Sequence, residues 1–477
     1  MFRVYFLCVY NIKRYFRKAA RGKQTWKKGH KDKSMTTRYD ETIFALATTP
    51  GRSSIAVIRI SGELAKTVCG IFNFQAPPPR VAGVRALEDA RRKLDEAMVI
   101  FFEGPRSFTG EDMVELHLHG GRAVVEAILG ALGKQPGLRM AEAGEFTKRA
   151  VINGKIDLTE AEGVNDLISA QTEAQRVQSL HQMEGGPGKQ FNEWCNTMVQ
   201  MAAHVEAYID FPEEEIPKDI LAGIEGNINS MIDDMEDHLN DNRRGEILRD
   251  GLRVAVIGPP NAGKSSFVNW LAQRDIAITS DQAGTTRDII EVSLDLDGYP
   301  AVLADTAGLR ESIDPLETKG IERAREWAKM ADIRIILVAA PELRCWQKSW
   351  APTGPDDIVI INKIDLENPV NQPPGMLKIS LKKKEGLTSV LERLHAVAKN
   401  KMSGQEPAII TKARHREALE ASVAGLKRAQ QTIRGACEPE LLAEDFRATI
   451  QSLGRVTGRV DIEDLLDVIF NDFCIGK

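Results

Sequence analysis

The chain has 477 residues, of which 43% are hydrophobic and 27% charged, and its formal net charge is −5 at pH 7. This length suggests two to four domains, and the composition is that of an ordinary globular protein. No apolar run approaches the ~18 residues that a bilayer-spanning helix needs. Residues 1–34 contain eleven Lys/Arg and one acid, which leaves 52 basic against 67 acidic residues, or −15, in residues 35–477. Because residues 35–477 are acidic overall, they do not bind RNA through their net charge, and any RNA contact requires a local basic patch.

Residues 1–34 form a basic, acid-poor extension that admits two interpretations. A mitochondrial transit peptide is one, but such peptides are rich in serine and Ser34 is the only serine here. We favour a non-native start, with Met35 as the true beginning, and therefore expect a cytoplasmic protein; a mitochondrial location is the alternative. Six cysteines are scattered without a C-x-x-C motif, which is typical of a reducing compartment without disulfides or structural zinc.

Residues 35–153 predict a mixed α/β domain. Short strands are expected at Ile55–Ile60, Met98–Phe102 and Met113–Leu118, followed by a helix after Gly121. From residue 154 the pattern becomes helical. Thr159-x-x-Glu162 fits a capping box, and an apolar stripe follows it at Ala161, Val164, Leu167 and Ile168.

Helical periodicity continues to about Leu248. The segment Glu184-Gly-Gly-Pro-Gly188 predicts a break in it, and the acidic Phe211-Pro-Glu-Glu-Glu215 predicts another interruption. An α/β pattern occupies residues 250–402, and helical periodicity resumes from Ile409 to Phe473.

The most informative motif opens this α/β segment. The apolar run Arg253–Ile257 leads into Gly258-Pro-Pro-Asn-Ala-Gly-Lys-Ser265, which fits G-x-x-x-x-G-K-[ST] and is followed by a helical pattern. Glycines allow backbone N–H groups to face a polyphosphate, and the helix N-terminus adds a favourable dipole. Lys264 supplies positive charge to the outer phosphates, and Ser265 offers a hydroxyl to Mg²⁺.

Two further motifs turn this nucleotide site into a guanine site. The strand-like Ala301–Ala304 ends in the D-x-x-G motif Asp305–Gly308, in which Asp305 can join the Mg²⁺ shell. The strand-like Ile358–Ile361 ends in the N-K-x-D motif Asn362–Asp365. A carboxylate such as Asp365 accepts two hydrogen bonds from the guanine edge, and adenine lacks that donor pair. Ligands of open α/β sheets bind at this edge of the strands.

The segment Gly284–Asp288 contains Thr286, a candidate mobile ligand that completes the Mg²⁺ shell when GTP is bound. Leu309 occupies the position where Ras-like GTPases carry a water-positioning glutamine, and leucine cannot orient water. Hydrolysis therefore requires another polar group, for which the nearby acids are Glu311, Asp314 and Glu317.

These patterns predict a multidomain fold of α/β and all-α parts, in which a P-loop GTPase domain is inserted in a helical domain and an α/β domain precedes both. The boundaries are an extension at 1–34, the α/β domain at 35–153, a first helical segment at 154–249, the GTPase domain at 250–402 and a second helical segment at 403–477.

From Met35 to Lys477 the chain resembles the MnmE (TrmE) family of tRNA-modification GTPases. The resemblance rests on the GTPase motifs, on the terminus Phe473-Cys-Ile-Gly-Lys477 and on an amino-terminal block. That block comprises Thr48-Thr-Pro-Gly-Arg52, Val57-Ile-Arg-Ile-Ser-Gly62, Ser107-Phe-Thr-Gly-Glu-Asp112, Glu115-Leu116, His119-Gly-Gly121, Gly144-Glu-Phe-Thr147 and Asn153-Gly-Lys-Ile-Asp-Leu158. Two departures from the family pattern, Pro259 and Ser380-Leu-Lys382, leave backbone contacts to the nucleotide possible.

The resemblance implies a GTPase that is activated by K⁺ and by dimerisation of its GTPase domains. It implies Mg²⁺ ligands at Ser265 and Thr286, K⁺ ligands at Asn261, Ser280, Gln282 and Thr285, and a catalytic glutamate at Glu317. The implied GTP-binding residues are Asn261, Ala262, Gly263, Lys264, Ser265, Ser266, Ser280, Asp281, Gln282, Ala283, Gly284, Thr285, Thr286, Asp305, Thr306, Ala307, Gly308, Asn362, Lys363, Asp365, Ser380, Leu381 and Lys382.

The resemblance also makes residues 35–153 a folate-binding and dimerisation domain. Its folate-contacting positions are Arg59, Glu115, Lys155 and Lys477, and Cys474 is a catalytic candidate beside them. From the residues alone, the favoured interpretation of each charged side chain is a surface ion pair, and that of Cys474 is a structural role. Cys474 also has the spacing of a prenylation box, but Gly476 and Lys477 fit that box poorly. Glu115, His117 and His119 could suggest a metal site, although no third His or Cys ligand lies nearby in sequence.

The implied activity is GTP hydrolysis coupled to modification of the tRNA wobble uridine (U34). With the FAD-dependent partner MnmG, in a heterotetramer built on a homodimer of this chain, the product would be 5-carboxymethylaminomethyl or aminomethyl uridine. The carbon would come from 5-formyl- or methylene-tetrahydrofolate, and no membrane partner is expected. One alternative is a ribosome-assembly GTPase of a related K⁺-dependent type, and another is a scaffold in which GTP is only structural.

Overall fold

In the computed structural model, the described residues run from 41 to 476. Residues 1–40 and 477 lie outside this description, as do 90–91, 211–217, 260, 275–276, 279–290, 305–330, 346–353, 370–374, 405, 436–437, 461–465, 467–468 and 471–472. Two compact units divide the chain. The first takes in residues up to Asn165 together with Gly188–Met231 and Ala421 onward, and the second comprises Asp166–Pro187 and Ile232–Glu420.

A six-stranded sheet organises the first unit, and all three strands predicted in this region are confirmed. Its strand order is β3-β4-β5-β2-β1-β6, and only the β1–β6 pairing is parallel. The strands are β1 (Thr42–Leu46), β2 (Ile55–Ser61), β3 (Gly83–Asp89), β4 (Arg92–Phe102), β5 (Met113–His119) and β6 (Leu138–Met140). β1, β3 and β6 carry no pattern that predicts them from the sequence, because short or edge strands have weak periodicity.

One face of this sheet forms a hydrophobic core, because alternate strand residues point to the same side. Ile58, Val99 and Leu116 belong to that core, which is closed by the helix α1 (Arg122–Gly133) and the 3₁₀ turn Thr67–Phe72. α1 begins directly after Gly121, as predicted. A second helix, α2 (Glu145–Ile152), follows β6 and buries six of its eight residues.

Helices make up most of the described chain between β6 and residue 252, and again after residue 378, as the sequence predicts. They include α3 (Leu158–Ser169), α4 (Glu173–Met183), α5 (Gly186–Asp210), α6 (Lys218–Leu239), α7 (Arg244–Asp250), α10 (Ala413–Arg434) and α11 (Pro439–Thr457). The predicted break at Glu184–Gly188 is confirmed, since α4 ends at Met183 and α5 begins at Gly186. Pro187 occupies the first turn of α5, where its missing N–H costs no helical hydrogen bond. The predicted interruption at Phe211–Glu215 lies outside the described residues.

The start of α3 corrects the predicted capping box. Asp157 Oδ1 accepts a hydrogen bond from the Glu160 N–H (2.9 Å), and Glu160 Oε2 accepts one from the Asp157 N–H (2.7 Å). The reciprocal pair is therefore Asp157-x-x-Glu160, two residues before the predicted Thr159-x-x-Glu162. Thr159 already lies in the first helical turn, and its hydroxyl donates to Asp157 at 2.7 Å.

The predicted apolar stripe on α3 is only partly correct. Ala161 is fully buried and Val164 and Leu167 are half-buried, but Ile168 is 40% exposed. The buried face of α3 instead includes Thr159 and Glu162, so polar side chains occupy positions that periodicity alone assigns to the core.

The second unit contains a seven-stranded sheet of order β13-β12-β11-β7-β10-β9-β8. Its strands are β7 (Leu252–Ile257), β8 (Ala277–Ile278), β9 (Glu291–Leu296), β10 (Tyr299–Ala304), β11 (Ile333–Ala339), β12 (Ile358–Asn362) and β13 (Leu377–Lys378). The five strands from β13 to β10 are parallel, whereas β9 and β8 pair antiparallel at one edge. The helices α8 (Lys264–Ala272) and α9 (Leu387–Met402) pack against its core.

Parallel strands place the ends of several predicted motifs at one edge of this sheet. β7 runs into the Gly-rich loop, β12 into the N-K-x-D motif, and β13 into Ser380. β11 is fully or partly buried along its whole length, which explains its continuous apolar run without alternation. In the part of the chain that is described, no helix is both long and apolar enough to cross a membrane.

Two glutamines of α4 hold the chain segment that follows α9. Gln178 Nε2 donates to the carbonyl of Ala408 (2.7 Å), and Gln178 Oε1 accepts from the Ala408 N–H (3.0 Å). The Thr411 hydroxyl donates to Gln182 Oε1 at 3.0 Å. Both glutamines are more than nine-tenths buried, so Gln178 replaces water for the backbone groups of Ala408, and Gln182 replaces it for the Thr411 hydroxyl.

We predict that Gln178→Ala lowers the free energy of unfolding of the second unit by about 2 to 4 kcal/mol, because it leaves two buried backbone groups of Ala408 unpaired. Urea denaturation followed by circular dichroism measures this loss. Gln171→Ala removes an exposed glutamine side chain just before α4 and is expected to change stability by less than about 0.5 kcal/mol. Equal effects of the two substitutions would contradict a stabilising role for the Gln178 amide.

Candidate functional site

The loop between β7 and α8 has a backbone that depends on its two glycines. Gly258 has φ 148°, and a Cβ there would lie 2.0 Å from the carbonyl oxygen of Leu337 on β11. Gly263 has φ 98°, and a Cβ there would lie 2.5 Å from Asn362 Nδ2. Any larger residue at either position would push the loop away from the strands that support it.

Lys264 opens α8 and turns its ammonium group back over this loop. Nζ donates to the carbonyl oxygens of Gly258 and Pro259, both at 3.0 Å. Ser265 and Ser266 follow in the first turn and are exposed, and Asn261 is exposed at the loop apex with φ 64°. A positive charge, a helix N-terminus and exposed hydroxyl groups thus share one edge, which is the chemistry that a polyphosphate requires.

Asn362 is the side chain that joins the loops of this edge, a role that its motif alone did not predict. It is 2% exposed. Nδ2 donates to the Ala262 carbonyl (2.9 Å), and Oδ1 accepts from the Leu381 N–H (3.3 Å). One buried amide therefore ties the phosphate-binding loop to the loop after β13. Leu381 also packs against the hydrophobic core of the unit.

Asp365 lies on the loop after β12, and its side chain meets that of Ser380, which begins the loop after β13. The Ser380 hydroxyl donates to Asp365 Oδ1 at 2.6 Å and accepts from the Lys383 N–H at 3.1 Å. The hydrogen bond from Ser380 lowers the pKa of the Asp365 carboxyl, with smaller contributions from the charges of Lys382 and Lys383. The lowered pKa favours the ionised Asp365 carboxylate, which is the form that can accept hydrogen bonds.

The structure describes twelve of the predicted GTP-site positions and brings eleven of them together at this edge, whereas the remaining predicted positions lie outside the described residues. Those brought together are Asn261, Ala262, Gly263, Lys264, Ser265, Ser266, Asn362, Asp365, Ser380, Leu381 and the adjoining Lys382; Lys363 adopts φ 63° between Asn362 and Asp365. Ser280 to Thr286, Asp305 to Gly308 and the acids Glu311, Asp314 and Glu317 lie outside the described residues.

A second candidate site lies on the sheet of the first unit. Arg59 on β2 and Glu115 on β5 are directly opposite in the strand register. Arg59 Nε and Nη2 donate to Glu115 Oε1 at 3.0 and 2.9 Å. The guanidinium also lies 5.7 Å from the ring centre of Phe108 and 5.8 Å from that of Phe146. The pair is thus partly shielded from water and held in one geometry, unlike a freely solvated surface ion pair.

Lys155, a third predicted folate position, lies on the turn after α2. Its ammonium donates to the Pro105 carbonyl at 2.8 Å, and its side chain passes 3.2 Å from the position of a Cβ at Gly110. It therefore contacts the loop 103–112, which also contains Phe108. The structure places Lys155 and Arg59 against the same loop. The fourth predicted position, Lys477, lies outside the described residues.

Cys474 is exposed and sits on the first unit, where the end of the chain docks against the α/β domain. The Cys474 carbonyl accepts a hydrogen bond from the Gly144 N–H (3.3 Å), and Ile475 pairs with Ala143. Gly476 has φ 96°, and a Cβ there would lie 2.2 Å from the Leu46 carbonyl oxygen. The close approach explains why the penultimate residue is glycine.

The alternative of a metal site at Glu115, His117 and His119 gains no support. Among the described residues no group of three His, Cys, Asp or Glu side chains could hold a metal ion. His119 Nδ1 lies 2.7 Å from Asp95 Oδ1, whereas His117 Nε2 lies 3.5 Å from Glu115 Oε2 without forming a hydrogen bond. His119 therefore pairs away from Glu115 and His117, and the three side chains do not form one ligand set.

Comparison with known proteins identifies the family. The family model described as GTP-binding protein TrmE N-terminus matches residues 42–155, and that of the MnmE helical domain matches residues 158–474. The tRNA modification GTPase MnmE of Parvibaculum lavamentivorans is 49% identical over 440 residues, which are 92% of this chain and 100% of that protein. The protein of the same name from Rhodospirillum rubrum is 45% identical over 456 residues, with 92% and 99% covered.

Among solved structures, the G domain of the T. maritima FeoB iron transporter covers 31% of this chain and 98% of its own, at 20% identity and a TM-score of 0.24. That score is too low to support a structural argument, so the assignment rests on sequence. Two family models account for both the α/β and the helical segments, and relatives approaching half identity match this chain along their full length. The chain belongs to the MnmE family of tRNA modification GTPases.

Proposed function

We propose that this chain is a K⁺-activated GTP hydrolase that acts with the flavoprotein MnmG to form 5-carboxymethylaminomethyl or aminomethyl uridine at the tRNA wobble position, U34. The observation that carries the GTPase part is the Asn362 amide, which joins the phosphate-binding loop to the loop that follows β13. A polyphosphate site and a guanine-reading carboxylate are thereby held at one sheet edge. We place this activity in the cytoplasm.

The described residues support binding of GTP. Backbone N–H groups of the loop and the Lys264 ammonium would hold the phosphates, exchanging the carbonyl contacts that Lys264 makes for phosphate oxygens. Asp365, oriented by Ser380, would accept hydrogen bonds from the guanine edge. Since an unpaired carboxylate is costly, this contact discriminates against adenine.

The donor set suits the two cations of the family. The exposed Ser265 hydroxyl would be one hard oxygen ligand for Mg²⁺. Thr286 and Asp305 would complete the coordination shell of this ion. The exposed Asn261 carboxamide would offer an oxygen to K⁺, with Ser280, Gln282 and Thr285. When bound, the cations neutralise charge that develops on the phosphates. Glu317 would orient the attacking water, a role that Leu309 cannot take.

The Arg59–Glu115 pair supports a folate site in the α/β domain. The Glu115 carboxylate can accept hydrogen bonds from the amino and N–H groups of a pterin ring, and Arg59, Lys155 and Lys477 supply cations for an acidic tail. Cys474 docks on this same domain, beside Gly144. The donor would be 5-formyl- or methylene-tetrahydrofolate, while FAD would belong to MnmG.

An apolar strip on the open face of the first sheet supports a homodimer through this domain. Val84 (61% exposed) lies opposite Met98 (37% exposed), which lies opposite His117 on the next strand. Ile55 on the same sheet is 59% exposed. A second copy of the chain would bury these side chains. One such homodimer together with two MnmG chains would give the heterotetramer.

The experiment that tests the function is mass spectrometry of wobble nucleosides from a strain that lacks this gene. We predict loss of the 5-carboxymethylaminomethyl and aminomethyl uridines and their restoration by the wild-type chain. Lys264→Ala is expected not to restore them, because it removes the phosphate-binding cation. Unchanged modification in the deletion strain would refute the proposal and leave a ribosome-assembly role open.

We predict that GTP turnover is at least about tenfold faster in KCl than in NaCl, because a K⁺ ion in the cleft replaces the charge of an arginine finger. Glu317→Ala should abolish most of this turnover without weakening GTP binding. A chain that hydrolyses GTP equally in both salts, and equally with alanine at position 317, would favour the scaffold alternative.

We predict that Asp365→Ala weakens GTP binding by about 10²- to 10⁴-fold, since two hydrogen bonds to a charged acceptor are lost. Isothermal titration calorimetry with GTP and ITP measures the loss, which should be smaller for ITP because inosine lacks the N2 amino group. Leu366→Ala changes a neighbouring side chain that is 67% exposed and should leave both affinities unchanged. Equal losses for GTP and ITP would argue against guanine reading by Asp365.

A further inference from the structure

Helix α2 touches both the docked end of the chain and the loop that faces Arg59. At its N-terminus, the Gly144 N–H donates to the Cys474 carbonyl, and a Cβ at Gly144 would lie 2.8 Å from Cβ of Phe473. At its C-terminus, Asn153 Nδ2 donates to the Thr109 carbonyl at 2.7 Å. One short helix therefore contacts two features that the proposed folate chemistry needs.

Arg149 is the buried side chain in the middle of this helix, and it is 2% exposed. Nη1 donates to Glu111 Oε2 (3.0 Å) and Nη2 donates to Glu145 Oε1 (3.1 Å). Nη2 also donates to the carbonyl of Glu41, just before β1, at 2.8 Å. The guanidinium thus binds the loop 103–112, its own helix and the start of the sheet.

Glu145 links this guanidinium to the N-terminus of α2. Burial alone would raise the pKa of the Glu145 carboxyl, but hydrogen bonds from Arg139 and the Glu142 N–H and the charge of Arg149 hold it below its ordinary value. Arg139 donates to both Glu145 oxygens, at 2.6 and 2.8 Å. Glu145 is therefore an anion next to Gly144, the residue that receives the tail.

Glu111 links Arg149 to the candidate folate site. Glu111 Oε2 also accepts from the Ser61 hydroxyl (2.7 Å), and Ser61 lies two residues after Arg59 on β2. Glu111 belongs to the same loop as Phe108, whose ring faces the Arg59 guanidinium. Any shift of Arg149 would move the loop, and with it the surroundings of the Arg59–Glu115 pair.

The planar fork of arginine is what this arrangement uses, because it makes three directed contacts at once. A lysine keeps the charge but cannot bond the two carboxylates and the Glu41 carbonyl in the same geometry. The hydrogen bonds and ion pairs of Arg149 go to Glu111, Glu145 and Glu41, and not to Arg59, Glu115 or Cys474. Its effect on either must pass through Glu145, Glu111 and the helix that carries it.

We propose that Arg149 is a positioning residue that couples docking of the C-terminal tail, with Cys474, to ligand binding at Arg59 and Glu115. This inference rests on the proposed folate function. Coupling is reciprocal: a ligand that orders the loop 103–112 also strengthens docking of the tail, and a docked tail strengthens ligand binding by the same factor.

The test measures alkylation of Cys474 by iodoacetamide in the full-length protein, by peptide mass spectrometry, with and without saturating 5-formyl-tetrahydrofolate. Peptide resolution separates Cys474 from the other cysteines. Burial raises the pKa of the Cys69 thiol to about 11 and also raises that of Cys195. Both thiols therefore stay protonated and react slowly with iodoacetamide. In the wild type we expect the ligand to slow alkylation at least fivefold. In Arg149→Lys we expect slowing of less than twofold at saturation.

Two further variants control for poor folding of Arg149→Lys and for the effect of the substitution type. Asn153→Ala removes an exposed side chain that pins the loop to α2, and it should also reduce the slowing even if Arg149→Lys folds poorly. Arg416→Lys makes the same substitution in a comparable network with Asp241 and Glu246 in the second unit, and it should leave the slowing at the wild-type value. GTP turnover should be unchanged in Arg149→Lys.

The outcomes separate the two proposals. If the wild type binds 5-formyl-tetrahydrofolate and its slowing persists undiminished in Arg149→Lys and Asn153→Ala, the ligand and the tail interact directly and the coupling through Arg149 is refuted. If calorimetry detects no binding of the folate to the wild type, the folate function fails and the coupling falls with it. Reduced slowing in both variants but not in Arg416→Lys supports the inference.

Discussion

A buried amide can bind two separate loops only if both loops bring a backbone group to it, and this constraint organises the nucleotide edge of the second unit. Asn362 satisfies the Ala262 carbonyl and the Leu381 N–H at once. Because an unpaired polar group in that position is costly, neither loop can move without the other. The close approach of Asn362 also explains the glycine at position 263, where a side chain would displace the amide.

The same physics recurs elsewhere in the chain. Gln178 satisfies both backbone groups of Ala408, and Arg149 satisfies the Glu41 carbonyl together with two carboxylates. In each case a side chain from a helix or strand fixes a segment that has no regular structure of its own. Loops that carry candidate site residues are therefore held by a few buried polar contacts, and substitutions there should affect function through geometry as well as through chemistry.

Two candidate sites thus lie on two different sheets of one chain. The parallel strands of the second unit bring the candidate phosphate-binding and guanine-reading residues to one edge, as expected for open α/β sheets. The antiparallel strands of the first unit instead place Arg59 and Glu115 opposite each other, and the end of the chain returns to the same domain through Cys474 and Ile475. Cys474 is exposed, so its reactivity depends on how firmly this end is docked.

Much of this protein could be predicted from its sequence, because the relevant signals are local. The Gly-rich loop, the N-K-x-D motif and the apolar runs of β7 and β12 identify a guanine-nucleotide sheet, and the helix after Gly121 begins where expected. Local signals decide less where two candidate N-cap residues lie two positions apart. The sequence pattern therefore favours Thr159 as the cap of α3, whereas the structure shows Asp157 in that role. Buried polar residues such as Glu162 likewise interrupt a periodicity that the sequence presents as apolar.

Only the tertiary structure decided which distant residues meet. Neither the pairing of Arg59 with Glu115 nor the contacts of Arg149 with Glu111 and Glu41 follow from spacing, since the partners are far apart in sequence and charged residues usually remain solvated. The sequence alone predicted the residue types of the candidate nucleotide site, because motif order and loop composition are local properties. Burial determined the rest, because a polar group removed from water must find its partner wherever the folded chain provides one.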